Sequence, residues 1–185
     1  FKRVKEGKEP TVSIHDDIKR QLSDFPKVAI TYSLGENGDH DSFNQDQMKE
    51  SMQDYNDMFG TQYTMEQIGA YNRNINDRLA RKKKNYQVRE NQLDIVIVVD
   101  RLLTGFDAPS LSTLFIDRKP MRSYSIIQAF SRTNRLYDTQ KRFGQIVIFQ
   151  LPAHFKRAVD RAMKLYSSGG GSYVQAPSWE EAEAR

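Results

Sequence analysis

The chain has 185 residues, 38% hydrophobic and 28% charged, which suits one globular domain with ends to spare. It contains no cysteine, so disulfides, thiolate zinc sites and cysteine nucleophiles are excluded. A net charge of +4 is mildly basic, compatible with nucleic acid without being diagnostic. The longest strongly apolar run, Ile95 to Val99, is far too short to span a bilayer, and no basic-then-apolar leader opens the chain. The first residue is Phe1 rather than Met, and FKRVKEGKEP reads as the end of a helix, so a piece of a longer protein is expected.

HDDIKRQLSDF predicts a short helix and KVAITYS, residues 27–33, a buried strand. An acidic stretch rich in Asn, Asp and Gly follows, reading first as a loop and then, from about Gln45, as a solvated helix. Thr64 has the character of an N-cap, with Gln67 at the third helical position, opening a helix that runs into Arg81, Lys82, Lys83 and Lys84. Those cations suit the negative end of its dipole, and they offer either a DNA-backbone contact or a merely solvated helix end. DIVIVVD, residues 94–100, is a continuous Ile/Val run of the kind covered on both faces in a parallel sheet. TLFID (113–117) is the next strand, RSYSIIQAFSRTN the next helix, and QIVIFQ (145–150) a further strand after the break at Gly144. A last helix, about Ala153 to Tyr166, carries an apolar stripe from Phe155 to Leu165 suited to packing on a sheet or a neighbouring domain. The glycines at 169–171 then read as a linker. Strands alternating with helices predict an α/β domain with a mostly parallel sheet. His15, His40 and His154 are scattered, share no metal-ligand spacing and read as incidental.

Two stretches concentrate the chemistry. LLTGFDAP, residues 102–109, directly follows the Ile/Val strand, where open α/β sheets bind ligands. Gly105 allows close backbone approach, and Thr104 and Asp107 supply a hydroxyl and an acceptor; the plain alternative is a tight turn in which both cap backbone groups. In QAFSRTNR, residues 128–135, the spacing of Gln128, Arg132 and Arg135 predicts one face of a helix. Two adjacent guanidiniums repel unless an anion or carboxylates lie between them. The plain alternative pairs them with acids such as Asp138.

In combination, LLTGFDAPSLSTLFIDRKPMRSYSIIQAFSRTNR resembles motifs V and VI of superfamily-2 helicases and translocases. It is closest in wording to the restriction (motor) subunit of type I restriction–modification enzymes, over about Lys27 to Phe149. The one departure is Ser131, where Gly is commoner. The resemblance implies a RecA-like three-layer domain, the second lobe of an ATP-driven DNA translocase, lacking the first strand of its sheet. Residues 1–150 would form the lobe, 151–168 a helix leading to the next domain, and 169–185 a linker. Arg132 and Arg135 would reach the β/γ phosphates of ATP, one as an arginine finger. Gly105, Asp107 and Gln128 would line the same cleft, and Thr104 would touch the DNA backbone.

The chain carries no GxxxxGK[ST] phosphate loop and no Asp-Glu-x-x box. ATP and Mg²⁺ are therefore expected in the intact parent, with Mg²⁺ held by the other lobe and no metal site here. The resemblance further implies a cytoplasmic site-specific deoxyribonuclease acting on double-stranded DNA with methyltransferase and specificity subunits, and no membrane. Two other readings remain open: the second lobe of another superfamily-2 DNA or RNA helicase, and a signalling receiver domain with Asp100 as phospho-acceptor. A purely structural interaction module would leave the arginines without an anion.

Overall fold

Among the described residues, two pairs of parallel strands organise the chain, each with helices laid against it. The computed structural model describes residues 2–32, 42–99, 107–117, 121–139 and 141–166. These fall into two units, Phe1–Ala108 and Pro109–Arg185.

The first unit opens with two short helices, α1 (Lys2–Lys5) and α2 (Asp16–Gln21). His15 is not incidental: its Nδ1 accepts the Asp17 N–H at 3.3 Å and caps α2, meeting the unpaired donors of a helix start. Strand β1 (Val28–Tyr32) pairs in parallel with β2 (Ile95–Val99), from Val28 opposite Ile95 to Tyr32 opposite Val99. Between them lie α3 (Ser42–Phe59), which starts earlier than the expected Gln45, and α4 (Ile68–Leu79). On α3, Met48, Met52, Tyr55 and Phe59 recur at helical spacing and pack with Tyr71 and Ile75 of α4 and Ala29 of β1. Tyr55 meets Tyr71 edge-on with ring centroids 5.0 Å apart. Burial forces these phenols to find acceptors, and Tyr71 Oη donates to the Ile30 carbonyl at 2.8 Å, tying α4 to β1.

The helix expected to run from Thr64 to Lys84 is shorter. It begins as a 3₁₀ turn at Met65–Gln67, with Gln67 Oε1 accepting the Thr64 N–H at 3.4 Å, as the capping-box spacing required. It ends at Leu79 because Arg81 adopts a left-handed backbone (φ 50) and closes the terminus. Arg81 N–H bonds to Arg78 O and Lys82 N–H to Asp77 O, both at 3.1 Å, the Schellman arrangement with arginine in the place usual for glycine. The basic run thus lies beyond the helix, and Lys82 and Lys83 stand 3.5 and 3.8 Å from Asp77.

Four charged residues clamp the start of β1 to the start of β2. The Lys27 N–H donates to Asp94 Oδ2 at 2.8 Å, and its buried ammonium meets Asp24 at 2.7 Å and the Glu90 carbonyl at 2.6 Å. Arg89 bridges Asp24 at 2.8 Å and Asp94 at 2.9 Å. Burial raises the pKa of Asp24, but the Lys27 and Arg89 hydrogen bonds outweigh it and hold the carboxyl below its usual range.

The second unit is a βαβ unit with one added helix: β3 (Thr113–Ile116), α5 (Ser123–Thr133), β4 (Gln145–Ile148) and α6 (Pro152–Tyr166). Strands β3 and β4 pair in parallel from Thr113 opposite Gln145. Their inward residues, with Ile116 fully committed, pack with Ile126 of α5 and with Phe155, Ala158 and Ala162 of α6. The small residues on α6 let the helix approach closely. The opposite face stays open: Phe115 and Phe149 stack with centroids 6.1 Å apart and are 62% and 60% exposed.

The expected α/β class and parallel pairing are therefore present. Among the described residues, however, the strands form two two-stranded sheets rather than one. The expected cover on both faces of β2 is likewise incomplete within its unit, with Ile97 and Val98 exposed.

Candidate functional site

Thr104, Gly105 and the receiver-type aspartate, Asp100, lie outside the described residues, as does the 169–185 stretch. Asp107 is an exposed residue of the first unit. Gln128, Arg132 and Arg135 belong to the second.

Helix α5 buries Ile126, Ala129 and Thr133, a spacing of three and four that sets its inner face. Gln128 and Arg132, one turn apart, fall on a flank of that face and are half-buried. Ser131, in the position where glycine is commoner, is exposed and donates its hydroxyl to the Gln128 carbonyl at 2.8 Å. The substitution is absorbed within one turn of helix.

The three polar residues do not share a helix face, because the helix ends at Thr133. Asn134 leaves helical geometry (ψ 56) while its N–H still reaches Phe130 O at 3.2 Å. Arg135 sits two residues past the end, exposed, its N–H on Thr133 O at 2.9 Å. One arginine is carried by a helix and the other by the turn that follows.

That turn is fastened from behind. Lys141 Nζ donates to Thr133 O at 2.9 Å and also to Arg135 O. It is a cation on carbonyls at the negative end of a helix, where charge is favoured. The Lys141 N–H in turn donates to Asp138 Oδ1 at 2.7 Å. Burial lowers the Lys141 pKa, with Asp138 acting in the opposite sense. Gly144, read from the sequence as a strand break, has a further reason to lack a side chain. A Cβ there would stand 2.6 Å from the Thr133 carbonyl carbon, well inside contact distance. Sequence reasoning missed Lys141 altogether: YDTQKRFG offers only a turn-rich composition, with no spacing that ties a lysine to a carbonyl six residues back.

A cavity of about 680 Å³ lies elsewhere on the second unit, lined at the start of α5 by Met121, Arg122 and Ser123 and along α6 by Ala158, Arg161 and Lys164. It is a broad groove at the end of α5 remote from Arg132, so it does not coincide with the expected site. No group of three His, Cys, Asp or Glu residues able to hold a metal occurs among the described residues. No described helix is long and apolar enough to cross a membrane.

Residues 4–151 match the family described as type I restriction enzyme subunit R domain 3. The chain belongs to this family. Its curated relatives carry the corresponding name. The endonuclease subunit of type I restriction enzyme SsaAORF53P from Staphylococcus saprophyticus is 34% identical over 165 residues, covering 84% of this chain and 17% of that protein. The SauCOLORF180P endonuclease subunit from Staphylococcus aureus (strain COL) is 37% identical over 114 residues, 62% of this chain and 11% of that protein. The N-terminal part of the MpnIIP endonuclease subunit from Mycoplasma pneumoniae, described as putative, is 45% identical over 69 residues, 37% of this chain and 17% of that polypeptide. The chain thus spans 11 to 17% of the length of these relatives.

Proposed function

We propose that this chain is the second RecA-like lobe of the ATP-driven DNA translocase within a type I restriction endonuclease. In this reading residues 1–150 form the lobe, and the parent works in the cytoplasm on double-stranded DNA with methyltransferase and specificity subunits. The observation that carries the proposal is the placement of QAFSRTNR. Its arginines stand at and just beyond the end of a helix that links two parallel strands, in a chain of the R-subunit family. Family membership also favours a type I parent over other superfamily-2 enzymes and over a receiver domain.

Arg132 and Arg135 supply cations for the β/γ phosphates of ATP, neutralising charge that develops in phosphoryl transfer. Gln128, one turn before Arg132, helps position the nucleotide, and Gly105 and Asp107 line the cleft. Mg²⁺, when bound, would supply further neutralisation of phosphate charge, and its ligands are assigned to the first lobe, with none from this chain. Thr104 donates its hydroxyl to a DNA phosphate, a contact blind to sequence, as a travelling motor requires.

The test is made in the assembled parent enzyme. Arg132→Ala and Arg135→Ala are each expected to lower ATPase turnover by about 10³-fold, the scale of an arginine finger. Thr104→Val is expected to reduce DNA-stimulated ATPase while basal nucleotide binding persists. Wild-type turnover in both arginine variants returns QAFSRTNR to an ordinary surface helix.

A further inference from the structure

We propose that Lys141 is a positioning residue for Arg135, fixing the backbone from which the Arg135 guanidinium projects. The inference rests on the motor reading above and adds to it a residue that no motif contains.

Three observations support it. The Lys141 ammonium reaches past the helix end: an ordinary cap would stop at Thr133 O, whereas this one also takes the carbonyl of Arg135 itself. Lys141 is held in turn, its N–H on Asp138 Oδ1 at 2.7 Å and its carbonyl accepting the Tyr137 N–H at 3.4 Å. The cation is therefore anchored at its main chain as well as at its tip. Gly144 then seats the following segment directly on Thr133, which is 1% exposed, leaving the end of α5 little freedom to shift.

The two arginines differ in their need for such support. The Arg132 backbone is held by the hydrogen-bond ladder of α5, with Ile126, Ala129 and Thr133 anchored in the core. The Arg135 backbone is not helical, and its carbonyl is fixed by Lys141. A charge that acts on a transferring phosphoryl group must be placed to within about 1 Å, and misplacement on that scale costs about 10²-fold in rate. Partial burial disfavours the lysine charge, and the Asp138 carboxylate acts in the opposite sense without cancelling it.

The experiment measures ATP hydrolysis by the assembled enzyme, as kcat and KM separately, together with thermal melting. The variants are Lys141→Met, Lys141→Arg, Arg135→Ala and the Lys141→Met/Arg135→Ala pair. Lys141→Met should lower kcat by about 10- to 100-fold, with KM for ATP within about twofold of wild type. Lys141→Arg, which keeps the charge and the donors, should recover most of that loss. In the double variant the lysine change should cost nothing beyond Arg135→Ala, since its effect runs through that residue. Multiplicative losses in the double variant overturn the proposal, as does a normal kcat in Lys141→Met when Arg135→Ala is inactive; both leave the motor reading standing. Wild-type turnover in Arg135→Ala overturns this inference, and wild-type turnover in Arg132→Ala as well removes the motor reading with it. Should Lys141→Met fail to melt as a folded protein, the Lys141→Arg measurement decides: a KM defect with normal kcat overturns the proposal.

Discussion

The two units use arginine in opposite ways. In the first, Arg78 is 5% exposed and its guanidinium lies 3.8 Å from the Phe59 ring centroid and 4.8 Å from that of Tyr86. Its Nε donates to Asn74 Oδ1 at 2.9 Å and its Nη1 to the Asn91 carbonyl at 3.0 Å. Rings and carbonyls take up the charge, and the residue holds α4 to the segment before β2. In the second unit Arg135 is exposed on a turn that other residues hold still. A buried arginine with its donors occupied serves the fold. An exposed one on a braced backbone owes its place to the residues behind it.

The sharpest way to break this contrast is to remove each arginine in turn. Arg135→Ala should cost about 10³-fold in parent ATPase while leaving the melting temperature near wild type. Arg78→Ala should do the reverse, destabilising the first unit by about 3 kcal/mol through unpaired acceptors and lost ring contacts. Chemical denaturation and ATPase assays on both variants check the pair; loss of activity from Arg78→Ala with unchanged stability would erase the distinction.

Gly144→Ala probes the bracing alone. The added Cβ would clash with Thr133 Cβ, Oγ1 and carbonyl carbon together, a short β-branched side chain and its backbone, so the strand or the helix end must move. A loss of about 1–3 kcal/mol in stability is expected, the scale of overpacking, together with a fall in kcat. Unchanged melting would show that the end of α5 yields freely.

The smallest effect expected is that of pH on the first unit. Asp24 is held below its usual pKa, so its bonds to Lys27 and Arg89 stabilise the fold above the ordinary carboxylate pKa of about 3.9. That contribution should disappear as pH falls through the lower, folded value. Asp24→Asn should flatten the acid side of the stability curve, and an unaltered curve would assign the clamp to Asp94 alone. Because Asp24 is partly exposed, solvent screening keeps the effect modest.

Much of this architecture was legible in the residues themselves. Short apolar runs, unbroken Ile/Val in β2, marked the four described strands, and the stripe from Phe155 marked the inner face of α6 through Ala158 and Ala162, although Leu165 at its far end is 72% exposed. The Thr64–Gln67 spacing marked a cap, and the order of LLTGFDAP and QAFSRTNR pointed to the family. These signals are local, carried by side-chain spacing along a regular backbone, which is why they could be read without the fold.

Helix ends and the fate of each charge were not local in that sense. Leu79 ends α4 because Arg81 accepts a left-handed backbone that sequence preference assigns to glycine. Thr133 ends α5 where a lysine eight residues on takes its carbonyl, so QAFSRTNR became a helix and a turn instead of one face. Arg78 and Arg135 look alike in the sequence and differ in what folding places around them. A repeating pattern states which face is apolar, but the partner of a polar group is set by loop paths that bring distant residues into hydrogen-bond range, and those exist only once the chain has packed.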